Sequence, residues 1–201
     1  MNKTTHNPAD MAGIDRYKLL TGLIIPRPIG WVGTVDAGGT YNLAPYSYFN
    51  TVAATPPTVV FSAGRPQGRI KDSLANVLAT GEFTLSIVDE ELVGAMHESA
   101  GAFPPDTDEF EQVGLTAVRG DTVAAPLVAE AKANLECRVI EIVDLGDPVT
   151  ASVVFGDVVR IHIADGVVDG TRIDHAALGA VGRIAGNTYV TTAHSLFDVD
   201  D

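Results

Sequence analysis

The sequence is poor in the side chains that crosslink a fold, ligate metals or grip polyanions. A single cysteine, Cys137, among 201 residues excludes an internal disulfide, so a packed core must hold the fold. Lys and Arg number 13 against 26 Asp and Glu, a formal net charge of −13. Nucleic-acid binding draws much of its affinity from neutralised phosphates, and a field of this sign repels a polyanion at long range. No nucleic acid and no anionic membrane surface is expected as a partner. No apolar run approaches the roughly 18 residues of a membrane span, and the polar stretch 1–15 lacks the apolar middle of a signal peptide; the expected location is cytoplasmic. The histidines at 6, 97, 162, 175 and 194 never recur at metal-ligand spacing, so no metal is expected. There is no Walker loop and no Gly-x-Ser-x-Gly elbow. The run Gly179-Ala-Val-Gly182-Arg-Ile-Ala-Gly186 has the wrong spacing for a dinucleotide fingerprint and no following helix.

What is present suits an ordinary globular domain. Apolar residues make up 46% and charged ones 19%, and a chain of this length buries about 70% of its unfolded surface. Residues 1–14 read as a flexible tail, 15–195 as one domain and 196–201 as an acidic tail. Asp15 is expected to cap a short helix through Leu20, closed by Gly22. Trp31–Val35 and Thr40–Ala44 read as a hairpin across the turn Asp36-Ala37-Gly38-Gly39. Thr58–Ser62, Phe83–Val88, Asn134–Val143, Val149–Ile163 and Tyr189–Thr192 carry the other strand signals. Apolar positions at 74, 77 and 78 give 71–80 a helical period, stopped by Gly81, and a second helix is expected from Glu90 to about His97. In Leu135-Glu-Cys-Arg-Val-Ile140 charges alternate with Cys137, which reads as a small buried hydrophobe on the core face of a strand. Long crossover helices do not separate the strands, which disfavours a doubly wound sheet; an antiparallel barrel with helices outside is expected.

Three segments carry chemical potential. Arg65, Arg69 and Lys71 place three of the 13 cations within seven residues, just before a helix start at Asp72-Ser73. Free N–H groups and the positive dipole end there favour a phosphate; an ordinary capped helix with solvated charges is the alternative. Asn42-Leu-Ala-Pro-Tyr-Ser-Tyr-Phe-Asn50 is poor in charge and rich in aromatic and hydrogen-bonding groups. It reads as a connection that lays polar backbone along a flat ring, or as a buried link. Pro26-Arg27-Pro28-Ile29 stiffens the backbone around one Arg, for an anion, a carbonyl or a surface ion pair. The stretch 89–111 holds eight carboxylates and no Lys or Arg; within it Asp106-Thr107-Asp108-Glu109 lacks the Gly and distal Glu of a calcium loop and reads as solvated.

Taken in order, Pro-Arg-Pro-Ile-Gly-Trp-Val (26–32), the 42–50 segment, Pro-Pro-Thr-Val-Val-Phe-Ser (56–62), Lys-Asp-Ser-x-x-Asn (71–76) and Gly-Glu-Phe-Thr-Leu (81–85) resemble the flavin reductase-like (flavoredoxin-like) family. Leu-Glu-Cys (135–137), Phe-Gly-Asp-Val (155–158) and Arg-Ile-Ala-Gly-x-x-Tyr (183–189) extend the likeness. The resemblance implies a mainly β fold with peripheral helices: an FMN-binding split β-barrel of antiparallel Greek-key type. It also implies a homodimer with the flavin near the subunit interface. By position, Ser47, Tyr48, Phe49 and Asn50 would border the isoalloxazine, with Arg27, Pro28 and Asn42 nearby. Ser62, Lys71, Asp72, Ser73 and Asn76 would follow the ribityl and phosphate, and Arg183 and Tyr189 would close the site, from the same or the partner chain. Asp72 sets a carboxylate beside the expected phosphate, and no residue is assigned a proton-transfer role. The implied activity is an FMN-dependent oxidoreductase that accepts hydride from NADH or NADPH. Its electrons would pass to free flavin, a small acceptor or a partner such as an oxygenase. The alternatives are a non-catalytic FMN-binding electron carrier, a split-barrel relative holding haem or a deazaflavin, and a plain interaction domain. Haem would call on an axial side chain, with His97, His162, His175 and His194 as candidates.

Overall fold

The computed structural model describes residues 1–104, 106–194 and 196–199; the end of the expected acidic tail, 200–201, and position 195 lie outside the described residues. In chain order the elements are α1 (Gly13–Leu23), β1 (Arg27–Pro28), β2 (Gly30–Val35), β3 (Tyr41–Tyr46), β4 (Phe49–Ala54), β5 (Pro57–Gly64) and α2 (Asp72–Thr80). Then come β6 (Glu82–Ile87), α3 (Val93–Glu98), α4 (Glu109–Gln112), β7 (Ala117–Arg119), β8 (Pro126–Val128), β9 (Ala133–Leu145) and β10 (Ala151–Ile163). The chain ends with β11 (Val168–Asp169), β12 (Arg172–Ile173), α5 (His175–Leu178), β13 (Val181–Arg183) and β14 (Tyr189–Thr191).

Seven strands form one antiparallel sheet in the order β3-β2-β6-β9-β10-β5-β4. Its two edges, β3 and β4, are consecutive in the chain, with only Ser47 and Tyr48 between them. A flat sheet of this width, with strands about 4.8 Å apart, would hold its edges about 29 Å from each other. A two-residue link reaches only about 10 Å. The sheet therefore curls until its edges meet, and Ser47–Tyr48 is the seam of a barrel. After the β4–β5 hairpin the chain crosses through α2 to β6, which pairs with β2, a Greek-key return. The mainly β antiparallel barrel with outer helices is the observed fold.

The core lies on both sides of β2. Val32 points into the barrel with Tyr46, Phe61, Phe83, Leu85, Cys137 and Val154. Trp31 points outward to Leu43, Met96, Phe110 and Val128, where α3, α4 and β8 cover the sheet. Its indole N–H donates to Ser99 Oγ at 2.9 Å. Phe61 and Phe83 meet edge to face at 5.2 Å between centroids, and truncating either to Ala should cost about 3–5 kcal/mol. Cys137 is fully buried; burial, and then Asp157 and Glu136, push its thiol pKa up. It is the inert core residue its strand pattern implied.

Several local expectations are corrected. α1 starts at Gly13, after an Ala12 N-cap with no side-chain bond, and runs through Gly22 instead of stopping there. Its two ends are tied by arginines. Arg16 donates to the Pro8 and Met11 carbonyls, and Arg27 takes up carbonyls at the C-terminus. The 42–50 segment is not one connection: 42–46 belong to β3 and 49–50 to β4. The second helix begins at Val93, not Glu90, because Asp89 Oδ1 accepts from the Glu91 and Leu92 N–H groups and holds a turn there. The 106–109 stretch is not a solvated loop: Asp108 caps α4 through the Phe110 and Glu111 N–H groups, and Glu109 is buried. Among the described residues no helix is long and apolar enough to cross a membrane.

Candidate functional site

The barrel seam opens onto a cavity of about 360 Å³, walled by Leu20 of α1 and Ile24 at its C-cap, by 26–28 and by 47–50. Arg27 organises it. Prolines on either side restrict the backbone, and the side chain is only 6% exposed. Its Nη1 donates to Thr21 O at 2.5 Å and Ile24 O at 3.0 Å, satisfying the last carbonyls of α1. Its Nε lies 3.5 Å from Ser47 Oγ. α1 is thereby clamped against the seam. A Cβ at Gly30 would stand 2.8 Å from the Phe49 ring, so glycine there lets the ring lie across β2. Ser62 N donates to Tyr48 O at 2.9 Å, pinning the bend to β5, and the Tyr48 side chain is left half exposed.

A second cavity, also about 360 Å³, lies where β3 passes the start of α2. It is lined by Asn42, Ala44 and Pro45, by 69–73, by the loop 99–103 and by Glu109. The N-cap of α2 is Lys71, which makes no side-chain cap bond, so the first-turn N–H groups lack a side-chain partner. Lys71 Nζ stands 5.4 Å above the Tyr46 ring. Tyr46 Oη pairs with Ser73 Oγ; burial, helped by Asp72 and Glu109 against the Ser73 bond, pushes the phenol up to about 12. It stays neutral as a hydrogen-bonding strut. Asp72 is exposed in the first turn of α2, where a carboxylate complements the helix dipole.

Behind this cavity runs a buried polar chain. Asn76 Nδ2 donates to Thr34 Oγ1 at 3.1 Å, Thr34 Oγ1 to Asn42 Oδ1 at 3.4 Å, and Asn42 Nδ2 to Glu109 Oε1 at 2.6 Å. Leu43 N donates to Glu109 Oε2 at 3.2 Å. Burial, with Asp72 adding to it, raises the Glu109 carboxyl above the usual range; its own backbone N–H and the Leu43 and Asn42 bonds only partly oppose this.

The structure thus brings Arg27, Pro28, Ser47, Tyr48, Phe49 and Asn50 to one cavity and Asn42, Lys71, Asp72 and Ser73 to the other. Ser62 meets the seam through its backbone, and the Asn76 amide is engaged by Thr34. Arg183 and Tyr189 sit apart, on the small sheet β1-β13-β14, where Arg183 is the register partner of Arg27. The Arg183 guanidinium bonds Gly186 O and lies 5.8 Å from the Tyr189 ring. Tyr189 Oη is 3.3 Å from His97 Nδ1. Sequence reasoning missed Leu20, Ile24, the 99–103 loop and Glu109.

A curled antiparallel barrel with an apolar cavity at its seam and a cationic helix entrance in a neighbouring cavity defines a split-barrel domain. The chain belongs to the family described as flavin reductase like domain, whose pattern matches residues 22–177. The crystal structure of nitrilotriacetate monooxygenase component B from Bacillus cereus is similar, with TM-score 0.95 and 37% identity, covering 99% of this chain and 100% of that one. The 2-nitrobenzoate 2-nitroreductase NbaA of Pseudomonas fluorescens follows the same path at TM-score 0.89 and 27% identity, over 98% of this chain and 96% of that one. Over 102 residues the chain is 30% identical to an NADH-dependent FAD reductase of Streptomyces globisporus, covering 49% of this chain and 52% of that protein.

Proposed function

We propose that this protein is an FMN-dependent oxidoreductase that takes a hydride from NADH or NADPH and passes the electrons to free flavin, a small acceptor or a partner oxygenase. The observation that carries this reading is the pairing of the two cavities along 42–50. One offers an apolar wall for a flat ring, the other an uncapped helix start with Arg69, Lys71 and Ser73. These residues fit FMN. The bound flavin supplies the hydride chemistry; the chain supplies grip and orientation. Lys71 and Ser73 hold the phosphate, with charge-assisted bonds of roughly 1.5–3 kcal/mol each. Ser47, Tyr48, Phe49 and Asn50 border the ring, Arg27 fixes the seam and Pro28 the wall beside it. Ser62, Asn42 and Asn76 brace these groups from behind, and Asp72, at the exposed edge of the phosphate cavity, complements the helix dipole. Arg183 and Tyr189 guard the rim next to β1.

A homodimer belongs to the same reading. α1 buries only Thr21 and, with its C-cap Ile24, exposes Ile14, Tyr17, Leu20 and Leu23. A second copy covering that surface would lie beside the seam cavity, which Leu20 and Ile24 line. The function is tested by mixing the FMN-loaded full chain with NADH or NADPH without oxygen. Bleaching of the yellow absorbance is expected; an unchanged spectrum with both would leave an FMN carrier without nicotinamide reactivity.

A further inference from the structure

Glu109 belongs to the acidic 89–111 stretch that no motif explains, yet it lines the cavity at the α2 entrance while only 6% exposed. It lines that cavity together with Arg69, Lys71 and Asp72. From β3 the titratable neighbours are Tyr46 and Tyr41, the latter packed edge-on to Phe110. The 99–103 loop contributes no titratable side chain, and His97 of α3 is bonded to Tyr189. On its own helix, Asp108 is spent as the cap and Glu111 is exposed. The cavity therefore sets two cations against two carboxylates. A phosphate brought into it adds negative charge beside both carboxylates, which favours the neutral form of the more buried one.

Resting on the reading of this cavity as the phosphate end of a flavin site, we propose that Glu109 is a specificity-determining residue of that site. Its carboxyl is protonated when the phosphate binds, so FMN takes up a proton and a flavin without phosphate takes up none. Glu109 is the carboxylate suited to this: unlike Asp72 it is shielded from water, and a second negative charge in a desolvated cavity favours the neutral form. Burial already biases it that way. Once protonated, one of its oxygens becomes a donor, so a repelling group becomes a hydrogen-bonding one. Asn42 and Leu43 N–H hold the carboxyl in place for that exchange.

The test is calorimetric titration of the flavin-free full chain with FMN and with riboflavin, in buffers of different ionisation enthalpy. Working well above the phosphate's own second ionisation, at about 6, keeps its proton out of the count. Net proton uptake with FMN and none with riboflavin is expected. FMN affinity should fall as pH rises, by up to about tenfold per pH unit for one linked proton. Glu109→Gln should abolish both the uptake and the slope while still binding FMN at alkaline pH. FMN binding to the natural chain without proton uptake, or with uptake unchanged in Glu109→Gln, overturns the role of Glu109 alone. Failure of both flavins to bind overturns the reading of the site itself. The proton count on the natural chain needs no variant, so a misfolded Glu109→Gln would not remove the test.

Discussion

Among the described residues two glutamates are buried, Glu136 at 0% and Glu109 at 6% exposure, and their surroundings drive them in opposite directions. Glu136 Oε1 accepts from Asp121 N at 2.9 Å and is 2.7 Å from His162 Nε2; Oε2 accepts from Thr122 N at 2.6 Å, Thr122 Oγ1 at 2.7 Å and Val123 N at 2.9 Å. Burial opposes its charge, but the bonds from His162, Thr122 and Asp121 outweigh burial and bring it down to about 2. Glu109 is held by fewer groups, its own backbone N–H, Leu43 N–H and the Asn42 amide, and burial wins. Donor count thus separates a carboxylate that anchors structure from one left free to respond to a ligand. Ligand atoms of Asp121, Glu136 and His162 lie within 4.8 Å of one another, a grouping that could pass for a cation site. The donors already filling both Glu136 oxygens account for it as a clasp on the 120–123 turn. A Cβ at Gly120 would stand 2.7 Å from Glu136 Oε2, so the turn approaches that closely only with glycine.

This contrast can be broken or sharpened by experiment. Glu136→Ala strands the Thr122 and Val123 N–H groups together with His162, and should cost about 3–5 kcal/mol in denaturant unfolding. FMN affinity per folded molecule should stay unchanged; a loss of affinity without a loss of stability would reverse the assignment. The same residue sets an acid limit. Its carboxyl binds a proton at lower pH in the folded chain than in the unfolded one, so its contribution is complete above 4.5 and lost as pH falls toward about 2. That contribution is about 3 kcal/mol, and a natural chain no more acid-sensitive than Glu136→Ala would contradict it. At the other region, Lys71→Ala should weaken FMN by roughly 1.5–3 kcal/mol in a flavin titration, leaving riboflavin unaffected; equal losses for both would move the phosphate elsewhere. Thr122→Val removes one of the five bonds to Glu136 and should cost only about 1 kcal/mol, read as a small shift in the unfolding midpoint.

Much of the barrel was legible because period-two alternation and Gly-rich turns are local signals. β4 was not: nearly all of Phe49–Ala54 is exposed, so no alternation marks it, and the seam at Ser47–Tyr48 was hidden with it. The alternation that sets Cys137 on the core face of β9 carries no sign that Glu136, on the other face, is buried beneath the 120–123 turn. The cluster with Asp121 and His162 was likewise invisible to spacing along the chain, since the β9–β10 register sets His162 diagonal to Glu136 and the 120–123 turn brings in Asp121. In the site, the cationic run and the prolines around Arg27 were readable because each acts locally. Glu109 acquires its role only when α4 folds against β3, which no spacing in the sequence encodes.

The most direct test of the account is the absorbance spectrum of the purified full chain, followed by release and identification of any chromophore. A yellow protein that yields FMN, or a pale one that takes up FMN to one per chain, is the predicted result. A colourless protein that binds no flavin when offered it would contradict the account at its centre.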